Sequence, residues 1–298
     1  MADITRAEVA SLIGEEYGPQ VIKAATQGST ALAAFPNINM GTKTRHLPVL
    51  ATVPDAEWVS DTDNTGVKPT AQATWVDKTL VAEEVAVIVP VHENTLDDAT
   101  EDILAQIAEL GGQALGKKLD QAVFFGTDKP VSWTSLDILA AAVSESQTFE
   151  VSTGEDDLFG SINQAGESVA DAGFDPTNII ARRGLAFKLR NLRDNDGAML
   201  LTGDAFAGLD TFWSRNGAWE SAEATAFVTD PTTVRIGVRQ DVTVKFLDQA
   251  TVGTINLAEK DMVALRFKAR FAYVLGNPYT PEKGAAGYGV AAVVPAGS

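Results

Sequence analysis

Between Glu101 and Gly126 the apolar residues return every three or four positions. Leu104, Ile107 and Leu110 are followed by Ala114 and Leu115, and Leu119, Ala122 and Val123 continue the stripe. That period predicts a single helix over about residues 100–125, with one face against a core. Thr100, followed by Glu101 and Asp102, supplies an N-cap and first-turn acids, and Gly126 after Phe124 and Phe125 stands where a left-handed C-cap belongs. A different period governs residues 263–273. Val263, Leu265, Phe267, Ala269, Phe271 and Tyr273 alternate with Ala264, Arg266, Lys268, Arg270 and Ala272, which predicts a strand with an apolar face and a basic face. The basic face meets either solvent or acidic surface on a neighbouring subunit.

Elsewhere the pattern is more broken. Residues 1–35 hold short amphipathic pieces interrupted at Gly18-Pro19, with too little apolar content for a core of their own. Such an arm packs on another part of the chain or on a neighbour. Two extended, β-branched runs follow, joined by a polar tip near residues 60–72, and a two-stranded excursion of that length is marginal unless another surface supports it. Leu158, Ile162, Ala165 and Val169 predict a helix near 156–172. An Asp175-Pro176 turn then leads into a short strand, "NIIAR", and "LAFKLRNLRDNDGAML" reads as a helix closed by Asp196-Gly197. The segment "LTGDAFAGLDTFWSRNGAW" has few periodic signals and reads as loops, whereas "VRIGVRQDVTVKFLDQ" reads as strand. Helices and strands mixed in this order predict an α+β fold.

Composition narrows the chemistry. With 298 residues, 45% of them apolar, the chain can bury one large core or two medium ones, and zero cysteines exclude disulfides, thiol catalysis and cysteine-bound zinc. The amino terminus has no apolar signal core and no run approaches the ~18 apolar residues of a membrane span, so a soluble protein made in the cytoplasm is expected. A net charge of −17 disfavours binding that depends on basic patches meeting nucleic-acid phosphates. Gly111, Gly116 and Lys117 imitate a phosphate-binding loop, but Lys118 replaces the magnesium-binding hydroxyl and the helical stripe runs straight through. Gly112 and Gly116 share a face of that helix, and each costs ~1 kcal/mol relative to alanine, which a closely packed neighbour would justify. Asp61, Asp63 and Gly66 fit the start of a calcium loop, yet Gln72 stands where its bidentate Glu belongs. His46 and His92 are solitary, and the acids of "GEDD" at 154–157 suit a helix start. No catalytic residue, cofactor or metal site follows from these patterns.

The order of elements resembles the major capsid proteins of tailed bacteriophages, with the fold named after phage Hong Kong 97. The stretch from Ala56 to Asp128 is similar to that family's extended loop, returning strand and spine helix; "NIIARRGLAFKLRNLRDNDGAMLL" resembles its axial strand, helix and turn; and Val234 to Pro278 resembles the return into the peripheral domain. The likeness covers about residues 35–280. It implies an amino-terminal arm over 1–35, an extended hairpin loop over 36–82, a peripheral domain over 83–150 and 255–298, and an axial α/β domain over 151–254.

A shell protein of this kind forms pentamers and hexamers that tile an icosahedral head, encloses double-stranded DNA without sequence-specific binding, and resides in the virion with no membrane. Interior acidity keeps DNA from adhering to the wall. Inter-subunit contacts are expected at Trp58, Asp61, Asp63, Lys68, Trp75 and Lys78 of the loop and at Arg266, Lys268 and Arg270 of the strand. The chain starts directly with a short arm, which implies that no long prodomain was cut away and that any scaffolding protein is separate; portal and decoration proteins are further partners. Some relatives crosslink a loop lysine. Lys68 and Lys78 are available, but no partner is identifiable, so a non-covalent shell is expected. An encapsulin-type cargo compartment shares the fold, and a soluble α/β enzyme using Asp194 and Asp196 is the alternative of a different class.

Overall fold

The computed structural model describes residues 28–56, 58, 68, 70–94, 103–151, 157–191, 201–202, 205–206 and 208–296. Two sheets organise them. The first has four strands in the order β1 (Asn37–Met40), β11 (Val234–Leu247), β14 (Met262–Leu275) and β4 (Glu83–His92), parallel between β1 and β11 and antiparallel elsewhere. The second has seven: β5 (Thr148–Glu150), β17 (Val290–Val294), β10 (Ala226–Thr229), β6 (Asn178–Arg182), β9 (Leu209–Ser214), β8 (Ala205–Phe206) and β7 (Leu201–Thr202). Separate two-stranded ribbons pair β2 (Thr44–Thr52) with β3 (Thr74–Val81), β12 (Thr251–Val252) with β13 (Ile255–Asn256), and β15 (Tyr279–Thr280) with β16 (Ala285–Ala286). Five helices are described: α1 (Thr30–Ala34), α2 (Ile103–Phe124), α3 (Ile138–Ser144), α4 (Asp157–Asp171) and α5 (Arg183–Asn191).

Helix α2 is uninterrupted through the glycines, so no phosphate loop exists there. Its apolar stripe, from Ile107 and Ala108 through Leu115 and Leu119 to Val123 and Phe124, is buried in one cluster with Leu265, Phe267, Ala269, Phe271 and Tyr273 of β14. A Cβ built on Gly111 would stand 2.7 Å from the Phe267 ring, so the helix can lie this near the strand only where that side chain is missing. Gly112 and Gly116 are buried as well. The end of the helix joins the two sheets. Phe124 stacks on Phe227 of β10 at 6.0 Å, Phe125 meets Trp219 edge-on at 5.5 Å, and Phe35 closes the cluster. Gly126 then turns the chain at φ 67°, with the Thr127 N–H donating back to the Gln121 carbonyl.

The second sheet is buried on both faces, which is why its strands read as near-continuous apolar runs. Ile180, Phe227 and Ala292 face the aromatic cluster, while Ile179, Ala181, Val228, Ala291 and Val293 face α4 through Leu158, Ile162, Ala165 and Val169. One sequence expectation fails here. The "LTGDAFAGLDTFWSRNGAW" stretch contains β7, β8 and β9, not only loops. Strand β9 is six residues long and is held by parallel pairing with β6, a non-local interaction that leaves no periodic trace in so short a run. Strands also cross between regions: β1 and β11 lie within 36–82 and 151–254 yet pair in the four-stranded sheet, and β5 and β17 lie within 83–150 and 255–298 yet pair in the seven-stranded one.

The alternating strand is β14, but both of its ends are covered on both faces. Ala264 and Ala272 are fully buried opposite the apolar side, and a small cluster of Met40, Leu80, Ala82, Ala272 and Val274 seals the outer face near its end. Gly237 of β11 lies under this cluster: a Cβ there would stand 2.3 Å from the Met40 sulfur and 3.1 Å from Leu80 Cδ2.

Substituting Gly111→Ala forces Phe267 to move, at ~1–3 kcal/mol for overpacking, offset by ~1 kcal/mol of helix propensity. A net loss of up to ~2 kcal/mol is expected in urea unfolding. Gly166→Ala on α4, where nothing lies within 4 Å of the added carbon, should instead gain up to ~1 kcal/mol. The reverse order for the two variants would remove the packing account of Gly111.

Candidate functional site

The ribbon of β2 and β3 is the part of the chain least able to stand alone. Its pairs run from Thr44 opposite Val81 to Leu50 opposite Trp75, with a register shift before Thr52 opposite Thr74. Only Leu80 is fully buried; along β3 exposure rises from it towards Thr74, whereas on β2 Thr44, Arg45 and His46 are exposed and Val49, Leu50 and Ala51 are half-buried. Near the far end Trp75 and Val76 are exposed on β3, Val53 follows β2, and Trp58 is 98% exposed. Large apolar side chains in solvent mark a surface that something else covers. Among the described residues no third strand pairs with either edge, although at the base the Val81 carbonyl accepts the Trp133 indole N–H at 2.9 Å.

The polar side chains of the ribbon are arranged across it. His46 Nδ1 lies 2.5 Å from Asp77 Oδ2, and the Thr52 and Thr74 hydroxyls are 2.7 Å apart. Lys78 is half-buried and lines a cleft of about 510 Å³ between the ribbon and the body, with Leu47, Phe174, Arg235 and Pro278. Lys68 is exposed. Asp61 and Asp63 lie outside the described residues, as do the tip near 60–67, Thr100, Glu101, Asp102, Asp194, Asp196 and most of residues 1–35.

The basic face of β14 finds an acid inside the same chain. Lys268 Nζ lies 2.7 Å from Glu84 Oε2 on β4, and an Arg270 nitrogen is 3.7 Å from the same oxygen. Arg270 stands directly opposite Glu84 in the register. The hydrogen bond from Lys268 holds the Glu84 carboxyl below its ordinary value, and the charges of Lys268, Arg270 and Arg266 act in the same direction. Arg266 Nε is buried with no hydrogen-bond partner. Of the two histidines, His46 belongs to the ribbon and His92 ends β4, so they occupy different sheets. Lys118 pairs with Asp128.

An anchor for the arm escaped sequence reading. Asp120 of α2 is fully buried and accepts the Ser29 hydroxyl at 2.6 Å, the Thr30 N–H at 2.8 Å, the Ala31 N–H at 3.0 Å and the Asn216 amide at 2.7 Å. Burial pushes its carboxyl above the ordinary value, against the pull of these hydrogen bonds. It thereby ties residues 29–31 to both α2 and the loop after β9. Its partners lie about ninety residues away in sequence, and the one local signal was an acid on the apolar stripe beside Leu119.

Comparison with known proteins follows this geometry closely. The model of the phage capsid family matches residues 10–279. Among solved structures, a chain of Mycobacterium phage Bobi is 58% identical with a TM-score of 0.82, covering 100% of each chain. A chain of Mycobacterium phage Adephagia is 54% identical at 0.82, covering 100% of this chain and 99% of its own. One from Microbacterium phage Oxtober96 is 38% identical at 0.77, covering 99% and 100%. No match was found among curated protein sequences.

Two outcomes follow from buried Asp120 and exposed Glu84. Asp120→Ala leaves four donors without their acceptor, at ~1–3 kcal/mol for each group that water cannot reach; unfolding should become easier and hydrogen exchange at Thr30 and Ala31 faster, and unchanged exchange would deny the anchor. Glu84, its folded value depressed, stabilises above its unfolded value near 4.5 and loses that contribution as pH falls through the folded value. Carboxyl NMR should place its midpoint below 4.5 and return it upward in Lys268→Met.

Proposed function

The chain belongs to the phage capsid family, and from that premise we propose that copies of it assemble as pentamers and hexamers into an icosahedral head enclosing double-stranded DNA. The protein is a structural major capsid protein with the fold of phage major capsid subunits. Its place is the shell of the virion, and assembly occurs in the host cytoplasm.

The observation that carries the assembly reading is the β2–β3 ribbon. It extends apolar side chains into solvent with no third strand on either edge among the described residues, and Leu80 alone of its residues is fully buried in its own subunit. In a shell, that surface lies across the adjacent subunit, with Trp58, Trp75 and Lys68 in contact. Burying a tryptophan side chain contributes on the order of 3 kcal/mol, enough to order the ribbon on its neighbour. Lys78 lines the cleft at the ribbon's inner side, and Arg266 joins Lys268 and Arg270 in the basic stripe of β14 as a further contact. Lys268 and Arg270 already share Glu84, so their contribution to an interface is through that cluster.

We assign the four-stranded sheet with α2 to a peripheral domain, from residues 83–150 and 255–298, and the seven-stranded sheet to an axial domain within 151–254, with β1 and β11 joining the first sheet and β5 and β17 the second from outside those spans. DNA is enclosed without sequence-specific contact by a wall of an acidic protein. Scaffolding, portal and decoration proteins would be separate partners, and the role involves no catalysis. The contacts between subunits are non-covalent.

Electron microscopy of purified protein should show shells tens of nanometres wide, running as a single monomer band on denaturing electrophoresis; a ladder of multimers would contradict the non-covalent assignment. Trp75→Ser should raise the protein concentration needed for shells at least tenfold, about 1.4 kcal/mol of contact, while the subunit's unfolding midpoint stays unchanged. Loss of subunit stability with unaltered assembly would assign Trp75 to folding instead.

A further inference from the structure

A second surface stands out by charge. From Thr148 to Asp230 the sequence holds fourteen acidic residues and only six basic ones: Arg182, Arg183, Lys188, Arg190, Arg193 and Arg215. Four of those six, Arg182, Arg183, Lys188 and Arg215, line a single open cleft of about 930 Å³. The fold brings them together. Strands β6 and β9 are parallel, so their carboxyl ends open on one side, with Arg182 opposite Ser214 in the register. Helix α5 begins at Arg183 with no loop between, and Arg215 follows β9 directly. A fifth cation reaches the rim from α2: Lys117 Nζ lies 3.9 Å from where a Cβ on Gly217 would stand. This is the lysine of the false phosphate loop.

Among the described residues none of these five cations pairs with a carboxylate. Arg182 donates to Ser221 Oγ at 3.3 Å, and the Arg183 guanidinium sits 5.7 Å from the centroid of the Trp213 ring. Four like charges gathered in one concavity repel, and the arrangement becomes favourable only when negative charge enters it.

We propose that this cleft is a docking site for a short carboxylate-bearing segment of a second copy of the chain. The inference rests on the shell reading above, which puts copies side by side. The chain carries 40 acids against 23 bases, so a neighbouring copy is a rich source of unpaired carboxylates. The cations converge on one cleft from three elements. A nucleic-acid duplex would instead call for cations spaced along the phosphate backbone. Guanidinium groups also take carboxylates in paired, planar hydrogen bonds, which gives the contact direction as well as attraction.

The test uses shells assembled from an equal mixture of ¹⁴N- and ¹⁵N-labelled protein, treated with a zero-length carbodiimide and digested for mass spectrometry. Expected are peptides joining Lys188 or Lys117 to an Asp or Glu with one light and one heavy partner, lost in Lys188→Gln/Lys117→Gln. Charge reversal at Arg182, Arg183 and Arg215 should raise the concentration needed for shells at least tenfold and leave the circular-dichroism melt of the subunit unchanged. Shells whose crosslinks join only like isotopes overturn the proposal, as do shells of the reversed variant formed at wild-type concentration. Mixed-isotope crosslinks that appear only after nuclease digestion assign the cleft to DNA and overturn it too. A wild type that forms no shells overturns the shell reading, and this inference falls with it.

Discussion

Helix α2 rests on β14 across the ring of Phe267, and Gly111 sets the distance between them. Most other placements follow from that contact. With the helix axis fixed over the four-stranded sheet, its last turn carries Phe124 and Phe125 out to the second sheet, where Phe227 and Trp219 receive them. The same axis carries Asp120 to the start of α1. A glycine that weakens an isolated helix therefore serves the subunit, because the helix is stabilised by what it packs on and only slightly by its own propensity.

Polar burial at Asp120 has a different logic from polar exposure on the ribbon. A carboxylate with four donors around it specifies one position for residues 29–31 and penalises any other, since a displaced segment would leave the charge buried and unpaired. The ribbon is packed tightly at its base, where Leu80 sits over Gly237 and Ala272, and only loosely beyond it, where half-buried Leu47, Val49 and Leu50 line the cleft to the body. One end of the chain segment before β4 is thus pinned by hydrogen bonds, and the other is left to find its contacts outside the subunit.

Legibility in the sequence followed the range of the interactions. Helix α2 and strand β14 were readable because long, regular burial writes a period into the residues, and Gly126 was readable because a left-handed turn selects glycine locally. The apolar, poorly supported ribbon was readable as a segment without a core. Strand β9 was not, because six residues paired in parallel with a distant strand leave no local period. The Asp120 anchor joins residues about ninety positions apart, and the basic cleft is assembled from residues 117, 182–188 and 215. For β14 the pattern showed a basic face, and the structure supplied its neutraliser: Glu84, whose opposite number only the register reveals. Family likeness supplied the order of elements, where no single motif was diagnostic.

The clamp at Leu80 also has a mechanical side. Trp75 stands five residues from Leu80 on strand β3, and at ~3.3 Å each they make an arm of about 17 Å, clamped at Leu80 and loaded at Trp75. A force on the far end is transmitted as torque to Leu80, Met40 and the strands beneath them, where Gly237 and Ala272 leave no slack for the pivot to shift. Deformation at the tip of one subunit is therefore felt in the sheet that carries α2, and the stiffness of an assembly of such subunits is governed as much by this small buried joint as by the contacts between them.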